Sequence, residues 1–169
     1  MPEFLRTYVR VVDAANRWVG TLAMYLIFAM IGILLYSSIM KTVAIPPLWT
    51  LEMAQFAMVA YFMLGGGYSL QQDAHVRMDL WYGTWKPRTR ALVDCFTIFF
   101  LIFYLVLMLI GGFSSTSYAL RYGETSYSSW APYMAPIKII MVAGITLMLL
   151  QAIAQFLKDV EAARAGDGE

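Results

Sequence analysis

The sequence predicts an all-α integral membrane protein with four transmembrane helices, an N-terminal amphipathic interfacial helix and both termini in the cytoplasm. Hydrophobic residues make up 60% of the 169-residue chain and charged residues 14%, far more apolar than an ordinary soluble domain. The apolar residues gather in runs long enough to cross a hydrocarbon core of about 30 Å, leaving little chain for anything but one membrane domain. Lysine and arginine concentrate on alternate connections, which sets an orientation. The formal net charge of +1 gives no basic surface for nucleic acid. One cysteine, Cys95, and one histidine, His75, provide no internal disulfide, no metal-type spacing and no bis-histidine haem site.

Residues 1–17 carry Glu3, Arg6, Arg10, Asp13 and Arg17 at three-four spacing, a single helical stripe, with Phe4, Tyr8, Val11, Val12 and Ala15 away from it. Recurring charge of this kind is unlike a cleavable signal. It is the pattern of an amphipathic helix resting on the membrane surface and leading into a span; a short helix packed on the protein has the same periodicity. No charged residue occurs from Trp18 to Met40, so 18–40 is the first span. Lys41 and Ile45-Pro46-Pro47 end it, because consecutive prolines cannot donate helical hydrogen bonds. The second span is 51–70, whose polar and small residues Glu52, Gln55, Gly66 and Ser69 share one face that is expected to look into protein. A polar, turn-like segment follows to Arg90. It holds Arg77, Lys86, Arg88 and Arg90 and is the most basic connection.

The third span covers 91–112, with helix continuing through Ser114 to Arg121 outside the core. Gly123, Pro132 and several serines and tyrosines mark a loop before Ala135. Pro136 opens the fourth span, 136–157, at a position where a helix tolerates proline. Residues 158–169 form a solvated, partly disordered cytoplasmic tail. Arg6, Arg10, Arg17, Arg77, Lys86, Arg88, Arg90, Lys158 and Arg164 fall on one side of this arrangement, and Lys41, Arg121 and Lys138 on the other. The positive-inside rule therefore places both termini in the cytoplasm. Trp18, Trp81 and Trp85 fall at the cytoplasmic boundary and Trp49 and Trp130 at the opposite one, where aromatic belts form.

Glu52 lies about one turn inside the second span and Lys138 at a similar depth in the fourth. Two readings are open: the two pair, since a charge held from water seeks a partner, or Glu52 caps its helix while Lys138 reaches to the interface. A translocating carboxylate belongs near mid-bilayer, where every span here is apolar or small, and no broken helix or internal repeat suggests a transporter core. Gly65-Gly66-Gly67 lacks the Gly-Lys-Ser/Thr of a phosphate loop, so it reads as close helix packing or a kink. Ser114, Ser115, Thr116 and Ser117 have no histidine or lysine patterned to activate them. Cys95 reads as a small packing residue. The corner His75-Val76-Arg77-Met78-Asp79 is either a cytoplasmic turn or a docking element.

Taken together, Trp49 with Glu52, Leu64-Gly65, Ala74-His75-Val76-Arg77-Met78-Asp79, Ser129-Trp130-Ala131-Pro132 and Ala135-Pro136-Ile137-Lys138 resemble the small membrane subunit (DctQ type) of tripartite ATP-independent periplasmic (TRAP) transporters, over most of the chain. Gln71-Gln72 departs from that family, where a basic residue is common ahead of the histidine motif. The resemblance implies a bacterial inner-membrane protein with no catalytic role and no cofactor of its own. It implies a large membrane subunit that holds the sodium and substrate sites and moves by an elevator-type motion, and a periplasmic substrate-binding protein that delivers an organic acid. In that picture Trp49, Glu52, Gly65, His75, Arg77, Asp79 and Lys138 are structural or partner-contact residues, and membrane lipids surround the rest. Two rivals remain: an autonomous small four-helix carrier acting as a homodimer, which would need a glutamate deep in the first helix, and the membrane anchor of a redox complex, which lacks paired histidines or cysteine clusters here.

Overall fold

A computed structural model describes residues 3–43, 45, 47–72 and 87–165. They form four helices: α1 (Glu3–Val43), α2 (Thr50–Gln71), α3 (Pro87–Tyr122) and α4 (Ala135–Ala165). The chain is all-α, as the sequence predicts. With no proline between Glu3 and Val43, nothing interrupts the backbone ladder, and α1 runs 41 residues without a break, about 60 Å at 1.5 Å per residue.

The segment 1–17 is therefore no separate element: from Glu3 it is the first part of the helix that also forms the first span. One face of it docks on α4, where the Tyr8 hydroxyl donates to the Leu150 carbonyl at 3.2 Å and Val12 and Asn16 are buried. The other face, with Phe4 and Val11, is exposed. The expected tail also differs. α4 continues through Ala165, because Ala162, Ala163 and Ala165 favour helix and Lys158 is held by Asp13 of α1. α3 continues beyond its apolar run to Tyr122, as the sequence predicts.

α1 and α2 are an antiparallel pair, with Thr50 against Ser37 at one end and Gly67 against Asn16 at the other. α4 runs alongside α2 in the same direction, Met63 meeting Gly144 and Gly66 meeting Met148. α3 packs on α4 in the opposite direction, Gly112 meeting Val142. Leu105, Ile145 and Ala152 form the buried centre of that seam, and Met63 and Leu70 of α2 close over it. α2 thus sits between α1 and α4, whereas α3 flanks α4 alone. The result is an open layer of helices. Both broad sides carry exposed apolar residues, among them Leu22, Phe28 and Leu35 of α1 and Phe96, Phe103 and Phe113 of α3.

Among the described residues three helical stretches are long and apolar enough to cross a membrane: Glu3–Val43, Phe96–Tyr122 and Ala135–Glu161. α2 is not one of them. Its 22 residues would reach about 33 Å, but Glu52, Gln55, Gly65, Gly66, Gly67 and Ser69 lower its hydropathy. Gln55 is exposed whereas Glu52 and Gly67 are buried. The polar and small face expected to turn wholly inward is therefore divided between two environments.

Close approach is the reason for the glycines at two positions. A Cβ at Gly144 would lie 2.6 Å from the Met63 carbonyl oxygen, backbone that cannot swing aside, and one at Gly67 would overlap Asn16. Gly65 has open space around it. Gly144→Ala is expected to lower stability by about 1–3 kcal/mol, as other overpacked interiors do, and Gly65→Ala to leave it unchanged. Thermal unfolding of the two variants in detergent measures this contrast; equal losses would contradict the packing described.

Candidate functional site

The chemistry of the described residues lies at the two ends of the layer. At the end where α1 starts and α4 finishes, four polar side chains form a chain running from the interior to the surface. Asn16 Nδ2 donates to Gln151 Oε1 at 2.8 Å, and also to the Val12 carbonyl at 3.2 Å. Gln151 Nε2 donates to Asp13 Oδ1 at 2.8 Å, and Lys158 Nζ to Asp13 Oδ2 at 2.9 Å. Asn16 and Gln151 are 0% exposed, so these hydrogen bonds act in surroundings where an unpaired amide is costly. Asn16 Oδ1 has no hydrogen-bond partner among the described residues; it lies against Gly67, a position where a larger residue could not be placed so closely.

The sequence analysis did not single out Asn16 or Gln151. The signal was present in Gln151 and Gln155, two amides four residues apart in an otherwise apolar run. A polar side chain at membrane depth is a partner-seeking group by default.

At the opposite end, the Thr50 hydroxyl sits 2.9 Å from the Ser37 hydroxyl and 3.1 Å from the Pro47 carbonyl. Trp49 stacks on Tyr36 with ring centroids 5.8 Å apart. These two contacts hold the start of α2 against α1. Glu52, one turn on, is 9% exposed and its Oε2 has no hydrogen-bond partner among the described residues.

Lys138 does not pair with Glu52. It forms its ion pair with Glu124, and the local fold explains the choice. The connection 123–134 folds back on itself: Ser126 N–H donates to the Pro132 carbonyl at 3.0 Å, and Met134 N–H to the Glu124 carbonyl at 2.9 Å. Glu124, fourteen residues before Lys138, is thereby fixed beside the first turn of α4. Ala131 closes the fold with φ 47°, a left-handed conformation unusual for alanine.

Trp18 within α1, Trp49 at the start of α2 and Trp130 in the connection before α4 are all at least partly exposed. Gly65 lines an apolar groove of about 500 Å³ between α1 and α2, together with Gly20, Met24, Tyr61, Phe62 and Ser69. His75, Arg77 and Asp79, with Trp81 and Trp85, lie outside the described residues, and so does the side chain of Cys95. The described residues hold no group of three His, Cys, Asp or Glu side chains placed to share a metal ion. The architecture ties helices to one another, and neither polar end presents a nucleophile beside a base.

Two stability measurements check these assignments. In a double-mutant cycle, Lys138→Met and Glu124→Gln are expected to couple by roughly 0.5–1 kcal/mol, the range for a partly exposed pair. Lys138→Met and Glu52→Gln are expected to be additive. Gln151→Leu strands an amide and a carboxylate and is expected to cost about 1–3 kcal/mol, and part of that loss should return in the Asn16→Leu, Gln151→Leu double variant.

Comparison with known protein families agrees with this architecture. The model of the DctQ component of tripartite ATP-independent periplasmic transporters matches residues 30–162, from the middle of α1 to near the end of α4. A search of the curated proteins returned no match.

Proposed function

The chain belongs to the DctQ component family of tripartite ATP-independent periplasmic transporters, and from that premise we propose that it is the non-catalytic scaffold subunit of a sodium-coupled importer of organic acids. A large membrane subunit holds the sodium and substrate sites, and a periplasmic binding protein delivers the substrate. The observation that carries this reading is the separation of polar and apolar groups. The buried polar side chains Asn16 and Gln151 lie at one end, and Ser37, Thr50 and Glu52 lie at the other. Between them the contacts are glycine, alanine and methionine at van der Waals distance, which offers a charged solute no ligands.

In this reading α2 is the fourth span, despite its lower hydropathy. It lies between α1 and α4 from Thr50 to Gly67, so it crosses wherever they cross, and its polar residues face protein neighbours or lie near its ends. Both termini are in the cytoplasm of a bacterial cell with the protein in its inner membrane. The start of α1 and the end of α4 share one end of the layer, and most lysines and arginines fall at that end. Glu52, Gly65, Trp49 and Lys138 act in packing and contact, and so do His75, Arg77 and Asp79 by the family resemblance.

The test is purification of tagged chain from its native membrane in mild detergent, followed by uptake measurements in liposomes. A single large, many-helix membrane protein is expected to co-purify in equal amount, and sodium-dependent uptake is expected only when both subunits and the binding protein are present. Uptake by this chain alone would overturn the scaffold reading in favour of an autonomous carrier.

A further inference from the structure

Where α1 leaves its uncharged stretch, it carries a charged stripe of which the polar chain to α4 uses only Asp13. At 100° per residue, Arg6, Arg10, Asp13 and Arg17 fall within about 60° of one another on the helix. They form one wall of a groove of about 540 Å³, and Lys158 and Glu161 of α4 form part of the other. Four cations therefore face two carboxylates. Asp13 is already committed through both of its oxygens, to Gln151 and to Lys158. Arg6, Arg10 and Arg17 are exposed; Arg6 attracts the Glu161 carboxylate across the groove, and Arg10 and Arg17 have no carboxylate at salt-bridge distance among the described residues. Arg6 and Arg10 are one turn apart, a like-charge spacing that destabilises a helix unless an anion intervenes.

We propose that this groove binds the phosphate of an anionic phospholipid headgroup. Guanidinium groups suit the chemistry, since their planar forks match phosphate oxygens two at a time. The depth suits a lipid. Trp18, at the boundary of the uncharged run, is 68% exposed, and Phe4, two residues before Arg6 and on the opposite side of α1, is 80% exposed. Exposed aromatic side chains that bracket a basic groove along the helix axis match a headgroup-level depth, with acyl chains lying along the apolar side of α1. A bound phosphate would draw the start of α1 and the end of α4 to the same lipid and fix the depth of the layer. The inference rests on membrane placement and does not require the transporter reading, so each can fail without the other.

The full chain, purified in a nonionic detergent, is titrated with short-chain phosphatidylglycerol, with phosphatidylcholine of the same chain length and with inorganic phosphate, and its thermal midpoint is followed. Native mass spectrometry counts the lipids retained. Saturable stabilisation by phosphatidylglycerol alone is expected, with one retained anionic lipid. The Arg6→Gln, Arg10→Gln, Arg17→Gln variant should bind at least about tenfold more weakly, given the attraction contributed by each basic residue near an anionic surface. Arg121→Gln, exposed at the other end, should bind as the wild type does. Equal stabilisation by phosphatidylcholine would show that only the acyl chains bind and would overturn the proposal. Equal stabilisation by inorganic phosphate would assign the groove to a soluble anion and would overturn it too. If the triple variant does not fold, the wild-type titrations still decide between these outcomes.

Discussion

The contact on which the rest of the structure depends is the hydrogen bond between Asn16 and Gln151, made with both residues wholly buried. Apolar helices in a membrane have no strong preference for one register over another, because lipid is as apolar as they are. A buried amide pair removes that freedom. Sliding α1 against α4 by one turn would leave two amides unpaired, at a cost that neighbouring methyl and methylene contacts could not offset. With the register fixed, Gly67 falls against Asn16 and Gly144 against Met63, and α2 can approach backbone to backbone. The amide pair and the glycines thus specify one seat for α2, the helix that is not by itself long and apolar enough to count as a membrane span.

That seat also determines the shape of the molecule. α2 has neighbours on two sides, α3 on one. A closed four-helix bundle would have buried the phenylalanines of α3; here Phe96, Phe99, Phe100 and Phe103 remain exposed. In lipid such a face needs no cover. In an assembly it is ready for a partner helix, and the open layer leaves both broad sides available without disturbing the polar ends that hold it together.

The apolar runs made the helices legible from sequence. Their lengths were less so. The change in composition at Trp18 and at Lys158 marks where the environment changes, and α1 and α4 continue through both points because nothing there breaks a backbone ladder. The polar pairs depended on details beyond spacing. Glu52 and Lys138 match in depth and charge, but depth along an axis does not say which way a side chain faces. The first turn of α2 is held on α1 by Thr50 and Trp49. Lys138 is met by a residue that sequence patterning placed in an undifferentiated loop, and that loop owes its form to backbone hydrogen bonds such as Met134 to Glu124. Asn16 and Gln151 lie 135 positions apart, and only the folded register brings them together.

Glu52 sharpens the comparison between a carrier and a scaffold. It is the one acidic residue within α2, and it is buried with one oxygen unpartnered among the described residues, which at first sight suits a group that takes part in transport. Its location argues otherwise. Fifteen residues separate it from Gly67, about 22 Å along the helix, and the amide cluster lies at that far end. Between the two, α2 meets its neighbours at Gly144 and Gly66, against Met63 and Met148, and the buried polar groups of the described residues stay at the two ends. A path across the membrane needs a series of closely spaced ligands; among the described residues the buried polar side chains form one cluster at each end. That division makes a stable plate of helices, which suits a membrane component of a tripartite transporter.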